Sequence, residues 1–357
     1  MYLDTAGVAD GHRAGIGDPN RHGDADAEPG LVDFAVNVRS TPSWMTNLLI
    51  DRVRELRRYP TAVDHHAALS AVAAGHDRTA DEVLLLAGAA EGFALLPRLR
   101  PRLAALVQPS FTEPERVLRA AGVPIVHAMQ ERPWQFDPGT VPDAADLVVI
   151  GNPTNPTGVL HPRAAIESLR RPGRVVVVDE AFADLVPGDV ESLAAETYSD
   201  VLVIRSITKS FGLAGLRAGY LLGPAAVVAQ LACGRPHWPL GTLQLVALAA
   251  AASEQGRRHL EAESRVIAEQ RDYLAAALFQ AGIAVVGGMS APFLLADVGD
   301  GPAFKDRLRQ KGFAVRSCTN FVGLDDRFVR FAVREAASVV DLVAAIGQIN
   351  TMTGEVR

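Results

Sequence analysis

A lysine follows directly on a predicted buried strand, with hydroxyl side chains beside it. Lys209 stands after Ser206 and Thr208, and the apolar run Val201–Ile204 precedes all three. Lysine is seldom buried without a partner, and where burial lowers its pKa the free amine forms a Schiff base with a carbonyl compound. The two hydroxyls and Arg217, a few residues on, are suited to hold a phosphate group. For Lys209 taken alone, an exposed surface loop is the favoured alternative.

Two further polar residues follow predicted buried strands. Asp179 comes directly after Val175–Val178, and Asn155 comes shortly after Leu147–Ile150, in a loop with prolines on both sides of it. A carboxylate at the end of a buried strand needs a partner, and a ring nitrogen that must stay protonated is one. The prolines fix φ and stiffen the loop around the Asn155 amide. Taken singly, a helix cap and a plain turn explain these two residues as well.

A fourth segment joins a predicted strand to a helix. Gly88 follows Val83–Ala87, and Ala89 and Ala90 begin the helical stretch. Free backbone N–H groups and the helix dipole favour an anion there, although many helices of α/β proteins start in this way. Together the four segments offer an amine, a counter-ion for a ring nitrogen, an amide for a ring hydroxyl and a phosphate cradle. These are the requirements of pyridoxal 5′-phosphate, which we predict as the cofactor.

The apolar runs before these residues are continuous rather than alternating, which is typical of strands buried on both faces. Helical segments separate the runs, so the sequence predicts an α/β fold with a mostly parallel, helix-flanked sheet. Ligands of such sheets bind at the carboxyl ends of the strands, where the four segments lie. The predicted strands of this sheet are Val83–Ala87, Leu103–Val107, Leu147–Ile150, Val175–Val178, Val201–Ile204 and Ala218–Leu222.

The last third of the chain predicts a smaller α+β domain. Residues 239–281 favour one long helix or two abutting helices, with Gly256 as the candidate break. Four strands near 283–286, 292–298, 313–317 and 328–333 follow, and a last helix begins near Glu335. The predicted division is an arm over residues 1–30, a large cofactor-binding domain over 46–234, and a small domain formed by 31–45 together with 235–357.

Composition excludes several classes of protein. The chain has 357 residues, 48% of them hydrophobic and 21% charged, with a net charge of −6. This acidic balance argues against binding to nucleic acid or to a membrane surface, and no apolar run reaches the roughly 18 residues of a membrane helix. The two cysteines cannot form a disulfide framework, so we expect a cytoplasmic protein. The adjacent His65 and His66 do not share a helix face, and no metal site is predicted.

The chain resembles the fold-type-I pyridoxal-phosphate enzymes of the aspartate aminotransferase superfamily, in the histidinol-phosphate aminotransferase-like branch. The resemblance rests on the run from Ser206 to Tyr220 and on the strand before Asp179, and it extends from about Leu31 to the last helix. It implies that Lys209 binds the cofactor covalently. It further implies that Asp179 pairs with the pyridine nitrogen and Asn155 with the ring oxygen.

The resemblance also assigns other residues. Phe111 falls where the family stacks an aromatic ring on the cofactor, and Tyr59 matches a tyrosine that reaches the phosphate in a neighbouring subunit, which implies a homodimer. Arg330 matches the arginine that binds a substrate carboxylate, although the residues alone are also explained by a strand salt bridge. Asn37, in an altered Asn-Pro segment, is a further candidate substrate contact. The candidate phosphate-binding residues are Ala89, Ala90, Ser206, Thr208 and Arg217.

The choice of reaction rests on secondary likeness. Phe182 replaces a tyrosine that many relatives have, and residues 21–24, 33–37 and 316–321 resemble the threonine-phosphate decarboxylase branch, which serves cobalamin biosynthesis. That branch implies a small phosphorylated amino acid as substrate. We therefore expect decarboxylation of threonine phosphate. The alternative is a histidinol-phosphate-like aminotransferase that uses 2-oxoglutarate and glutamate.

The same likeness assigns the substrate's phosphate to Arg316, with Arg334 or His22 as further candidates. A relative without catalytic activity is a third hypothesis. The joint presence of Lys209, Asp179 and Asn155 argues against it.

Overall fold

The computed structural model describes residues 26–353. Most of the predicted arm over residues 1–30 therefore lies outside the described residues, and so do His22 and the segment 21–24. Within the described part, no helix has both the length and the apolarity that crossing a bilayer requires.

Two sheets contain the strands of the described residues. The order in the seven-stranded sheet is β2-β8-β7-β6-β5-β3-β4, and in the five-stranded sheet it is β1-β11-β12-β10-β9. The strands are β1 (Val32–Phe34), β2 (Val83–Leu86), β3 (Ala104–Gln108), β4 (Ile125–Met129), β5 (Leu147–Gly151), β6 (Val175–Asp179), β7 (Val201–Ser206), β8 (Gly219–Leu222), β9 (Ala284–Val285), β10 (Phe293–Asp297), β11 (Phe313–Ser317) and β12 (Phe328–Ala332).

Helices flank both sheets. The α-helices of the described residues are α1 (Ser43–Arg52), α2 (Ala62–Gly75), α3 (Ala89–Leu95), α4 (Glu113–Ala120), α5 (Arg163–Glu167), α6 (Ile207–Ser210), α7 (Ala225–Ala232), α8 (Thr242–Ala251), α9 (Glu254–Gln280), α10 (Gly301–Gln310) and α11 (Ala336–Thr353).

The seven-stranded sheet confirms the predicted α/β class. From β4 to β7 its neighbouring strands are parallel, and the residues of β2, β3, β5 and β7 are buried on both faces. The sequence did not predict β4, because His127 interrupts its apolar run and the strand lies half-buried at the sheet edge. Strand β8 is antiparallel to both of its neighbours, so it begins at the edge where β2 and β7 end.

The five-stranded sheet joins the two ends of the described chain. Strand β1 pairs in parallel with β11, while the other strands of this sheet are antiparallel. Apolar side chains of α9, α10 and α11 pack on it around Phe34 and Phe331, both fully buried. The domain boundaries proposed from the sequence stay a prediction, although Val32–Phe34 does share a sheet with the last third of the chain.

The break between the two long helices lies at Ala252 and Ser253, before the predicted position. The Ser253 hydroxyl caps α9 by accepting a hydrogen bond from the Gly256 N–H at 3.2 Å. Gly256 lies in the first turn of α9, where a Cβ would come within 2.0 Å of the Ala251 carbonyl oxygen. Glycine is therefore required there by the close approach of α8, and it does not interrupt a helix.

A second glycine locks the segment before α1 against the loop after α6. Gly212 has φ +66°, and a Cβ on it would lie 2.3 Å from the Arg39 carbonyl oxygen and 2.7 Å from the Thr41 nitrogen. The Thr41 hydroxyl donates a hydrogen bond to the Gly212 carbonyl at 2.9 Å. Only glycine combines this backbone conformation with this contact.

The substitution Gly212→Ala is expected to lower the free energy of unfolding by about 3 kcal/mol, because it adds backbone strain and a clash with backbone atoms that cannot rotate away. Urea unfolding measures the change. Gly215→Ala is the matched control, since Gly215 has open space around it and no positive φ. Equal stability of the two variants would contradict the structural role of Gly212.

Candidate active site

A cavity of about 460 Å³ opens at the carboxyl edge of the seven-stranded sheet and extends to the five-stranded sheet. Residues from segments far apart in the sequence meet there, because the strands β2, β6 and β7 end at the same edge. The predicted site residues that line it are Asn37, Ala89, Ala90, Phe111, Asn155, Asp179, Ser206, Thr208, Lys209, Arg217, Arg316 and Arg330.

Of the predicted residues that the structure describes, two do not line this cavity. Tyr59 is 73% exposed and stacks on Trp238, with ring centroids 4.4 Å apart. Its role at a neighbouring subunit stays a prediction. Arg334 donates hydrogen bonds at 2.6 Å to the carbonyl oxygens of Asp33 and Val36. These contacts hold the backbone after β1, so the structure does not place Arg334 at a substrate phosphate.

The antiparallel direction of β8 brings Arg217 to the cavity. Gly219 is the register partner of both Leu86 and Ser206, so the residues just before β8 lie beside the ends of β2 and β7. A Cβ on Gly88, which has φ +87°, would lie 2.9 Å from Arg217 Nη2. The absence of a side chain at Gly88 therefore leaves room for the guanidinium beside the first amides of α3.

The hydroxyls of Ser206 and Thr208 complete the donor set on this side of the cavity. Ser206 caps α6, its Oγ accepting a hydrogen bond from the Thr208 N–H at 3.2 Å. The guanidinium of Arg217, two hydroxyls and the amides of Ala89 and Ala90 all border one part of the cavity. Such a donor set matches a phosphate dianion, and it fits the phosphate of pyridoxal 5′-phosphate.

Asp179 is the acidic residue among the described residues that line the cavity. Burial raises the pKa of Asp179 to about 6, although a hydrogen bond from the Ala181 N–H at 3.1 Å and the nearby Lys209 lower it. At neutral pH the protein therefore supplies less positive charge than the ionised Asp179 carboxylate needs for full stabilisation. A protonated pyridine nitrogen would supply the missing positive charge, so this carboxylate also fits the predicted cofactor.

Behind the cavity, the residues next to the site form a buried ion cluster. Side chains alternate between the two faces of a strand, so Arg205 and Glu180 point away from the cavity that Ser206 and Asp179 line. Arg205 is 1% exposed and its guanidinium lies 2.8 Å from Glu180 and 2.6 Å from Asp189. The cluster ties the ends of β6 and β7 together and so fixes the spacing of the two site residues.

Arg330 is a buried cation that donates hydrogen bonds to neutral groups of the protein. It donates to the Ala35 carbonyl at 2.8 Å and to Asn155 Oδ1. Asn37, with its amide oxygen turned toward the guanidinium, accepts from both Nη atoms at 3.2 Å. The guanidinium also lies 5.0 Å from the centroid of the Phe293 ring. Burial lowers the pKa of Arg330 to about 10.

Among residues 26–353 no carboxylate forms an ion pair with Arg330, so the strand salt bridge considered from the sequence is not what the structure contains. Arg316 lies directly opposite Arg330, on the neighbouring strand β11. Like charges in this position repel each other. Arg316 is compensated by Asp26 at 3.2 Å and by Asn320 at 2.8 Å. Two adjacent guanidinium groups thus line a cavity, where anionic ligand groups would stabilise them.

Sequence reasoning missed several residues of the site. Aromatic and small side chains complete the lining, and Phe182 packs edge-on against Phe293 with centroids 5.2 Å apart. Most of their residue types are ordinary core types, and the resemblance drew attention only to Phe182 and to the segment 316–321, which contains Phe321. The lining residues without an assigned sequence signal are Val36, Val38, Phe93, Thr112, Ala181 and Ala214.

Relatives that cover most of the chain include a histidinol-phosphate aminotransferase and a threonine-phosphate decarboxylase. A histidinol-phosphate aminotransferase of Mycobacterium tuberculosis is 51% identical over 329 residues, which span 92% of this chain and 90% of the relative. A threonine-phosphate decarboxylase of Salmonella typhimurium is 30% identical over 340 residues, which span 91% of this chain and 92% of that protein.

Solved structures confirm the predicted fold type. The histidinol-phosphate aminotransferase from Clostridium acetobutylicum matches with a TM-score of 0.83 at 24% identity, over 90% of this chain and all of that one. An aspartate aminotransferase from Thermus thermophilus matches with a TM-score of 0.79 at 20% identity, over 90% of this chain and 92% of that chain. At these identities the two structures support the fold alone.

The family model described as aminotransferase class I and II matches residues 30–346. Most of the chain is thus covered, and the cavity contains the amine, the buried carboxylate and the phosphate donors that a pyridoxal-phosphate enzyme requires. The chain belongs to the aminotransferase class I and II family, and it is an enzyme that uses pyridoxal 5′-phosphate.

Proposed function

We propose that the enzyme transfers an amino group between histidinol phosphate, or a closely similar phosphorylated amine, and 2-oxoglutarate. The observation that carries the proposal is the pair of guanidinium groups, Arg316 and Arg330, on opposite positions of β11 and β12 in the cavity that contains Lys209. The two carboxylates of 2-oxoglutarate match this pair of cations. The phosphate of the amine substrate matches Arg316.

The 51% identical relative supports this aminotransferase over the decarboxylase that the sequence led us to expect. Decarboxylation of threonine phosphate remains the second candidate. The relative of that name from Salmonella typhimurium spans 91% of the chain, and Phe182 leaves the ring oxygen without a tyrosine hydroxyl.

Each site residue has a distinct part in the proposed reaction. Pyridoxal phosphate, when bound, supplies an electron sink for the charge that develops at the substrate Cα. Lys209 would hold the cofactor at its aldehyde carbon, and once the substrate's amino group has displaced it there, the freed amine would move the proton at Cα as general base and acid. Asp179 keeps the pyridine nitrogen protonated, and the Asn155 amide donates to the ring oxygen while its Oδ1 accepts from Arg330.

The other residues fix the pose of cofactor and substrate. Phe111 stacks on the cofactor ring, and Arg217, with the hydroxyls of Ser206 and Thr208 and the first amides of α3, holds the cofactor's phosphate. Arg330 and Asn37 bind the carboxylate of the amino acceptor. For a substrate with a carboxylate on Cα, the bond held perpendicular to the cofactor ring would be the one that breaks, so the two arginines, by orienting the substrate, would decide between loss of a proton and loss of CO₂.

The substitution Lys209→Ala is expected to abolish the yellow absorption band that borohydride bleaches, and to lower turnover by about 10³-fold or more. The sequence contains two other lysines, Lys305 and Lys311. Lys311 is exposed, so Lys311→Ala is the matched control and should retain the band. A bleachable band in Lys209→Ala would refute the assignment of this lysine.

The purified holoenzyme is expected to form glutamate from 2-oxoglutarate with histidinol phosphate as the amino donor, and to release no CO₂ from threonine phosphate. Histidinol without its phosphate should react with a kcat/KM lower by about 100-fold, because the charged hydrogen bonds between Arg316 and the substrate phosphate would be lost. Coupled glutamate detection and CO₂ trapping measure the two reactions. Release of CO₂ from threonine phosphate without glutamate formation would establish the second candidate instead.

The proposal includes a homodimer. Large apolar side chains are exposed on α1, on the segment between α1 and α2, on α2, and at Trp238, which stacks on Tyr59, an arrangement typical of an interface. We call them the apolar patch: Ile50, Val53, Leu56, Tyr59, Val63 and Trp238. In the family resemblance, Tyr59 of this patch reaches the neighbouring subunit.

Light scattering is expected to give twice the chain mass of 37.9 kDa. The substitution Leu56→Glu should shift the protein toward the monomer, because it places a charge in the buried interface. Val190→Glu is the control, since Val190 is equally exposed but lies outside the apolar patch. A monomeric wild-type protein would contradict the dimer, and identical masses for the two variants would contradict the placement of its interface on the apolar patch.

A further inference from the structure

Two ion pairs dock residues 26–28 onto helix α10, and they differ in burial. Lys305 Nζ lies 2.6 Å from Asp26 Oδ1, with the Asp26 side chain fully buried and the Lys305 side chain 16% exposed. Arg309 pairs with Glu28, also at 2.6 Å, but both of these side chains are about half exposed. The first pair is therefore screened little by solvent, whereas the second is screened as an ordinary surface pair.

The buried pair continues to the cavity. The second oxygen of Asp26 lies 3.2 Å from Arg316 Nη1, so one carboxylate joins two cations. Arg316 lines the cavity, whereas Lys305 and Asp26 do not. The three side chains together carry one net positive charge. We call Lys305, Asp26 and Arg316 the charge relay.

The relay changes how strongly Arg316 attracts an anion. A buried carboxylate bound to Arg316 alone would form a neutral pair, and a neutral pair attracts a phosphate weakly. Because Lys305 offsets part of the negative charge of Asp26, the Arg316 guanidinium keeps most of its positive electrostatic potential in the cavity. The hydrogen bonds that Arg316 donates to Asp26 Oδ2 and Asn320 Oδ1 meanwhile hold that guanidinium in one orientation.

We propose that Lys305 is a specificity-determining residue that acts through Asp26, and that it sets the affinity of Arg316 for the phosphate group of the substrate. The inference rests on the proposed function, in which Arg316 binds that phosphate. It assigns an electrostatic role to a residue that touches neither the cofactor site nor the substrate cavity. No family motif in the sequence points to this lysine.

The test uses inorganic phosphate as the probe and the holoenzyme as the protein, so that the cofactor's own phosphate site is filled. Thermal stabilisation by phosphate gives an apparent Kd for each variant. Lys305→Met is expected to weaken phosphate binding by about three- to tenfold, because loss of the Lys305 charge lowers the positive electrostatic potential at Arg316. The double variant Lys305→Met with Asp26→Asn is expected to return to within about twofold of wild type, since the charge that Lys305 balances is gone.

The variant Arg309→Met is the matched control. It removes the other ion pair between the same segment and the same helix, and the exposed pair it breaks does not contact Arg316. Its phosphate affinity should equal that of wild type. The KM for histidinol phosphate should follow the same order among the variants, with kcat unchanged.

Three outcomes would overturn the relay. They are an unchanged Kd in Lys305→Met, an equal loss in Arg309→Met, and a double variant that binds phosphate no better than Lys305→Met. The last two would mean that the ion pairs only dock the segment. Failure of the proposed function is distinguishable, because phosphate binding is measured without turnover. An enzyme that shows the expected Kd pattern but converts neither phosphorylated substrate would refute the proposed function. The electrostatic role of Lys305 in phosphate binding would still be supported.

Discussion

The cavity depends on buried charged groups that the protein itself neutralises only in part. Removing a charge from water is costly unless a partner replaces the solvent. Arg330 is held by carbonyl and amide oxygens and the face of Phe293, and Asp179 has a pKa raised to about 6. A protonated ring nitrogen would supply the positive charge that Asp179 lacks, and an anionic substrate would supply the negative charge that Arg330 lacks. The site is thus stabilised most when its ligands are bound.

The backbone makes this concentration of charge possible by close approach. Gly88 gives the Arg217 guanidinium room beside α3, and Gly219 lets β8 pass between the ends of β2 and β7. Gly212 brings the segment before α1, next to Asn37, against the loop that follows Lys209. The ion cluster around Arg205 lies on the reverse face of the same strand ends. The cavity therefore has rigid supports on both sides of the residues that line it.

Much of the fold and of the cofactor site was predictable from local sequence. The continuous apolar runs located β2, β5, β6 and β7, because strands buried on both faces have no polar alternation to conceal them. The rule that ligands bind at the carboxyl ends of parallel strands then located Lys209, Asp179 and Asn155. Strand β4 was not predicted, because this half-buried strand lacks a continuous apolar run. The break between α8 and α9 was placed too late in the chain, because its position depends on how the two helices pack.

The sequence by itself determined the chemical types at the site and the strands that present them, since both follow from neighbouring residues. Only the tertiary structure decided which cations face the cavity. Arg316 and Arg330 meet as register partners of β11 and β12, while Arg334, a few residues on, holds the backbone after β1. The pairing of Asp26 with Lys305 and Arg316 joins residues almost 300 positions apart. Such pairings depend on strand register and helix docking, which no local pattern encodes.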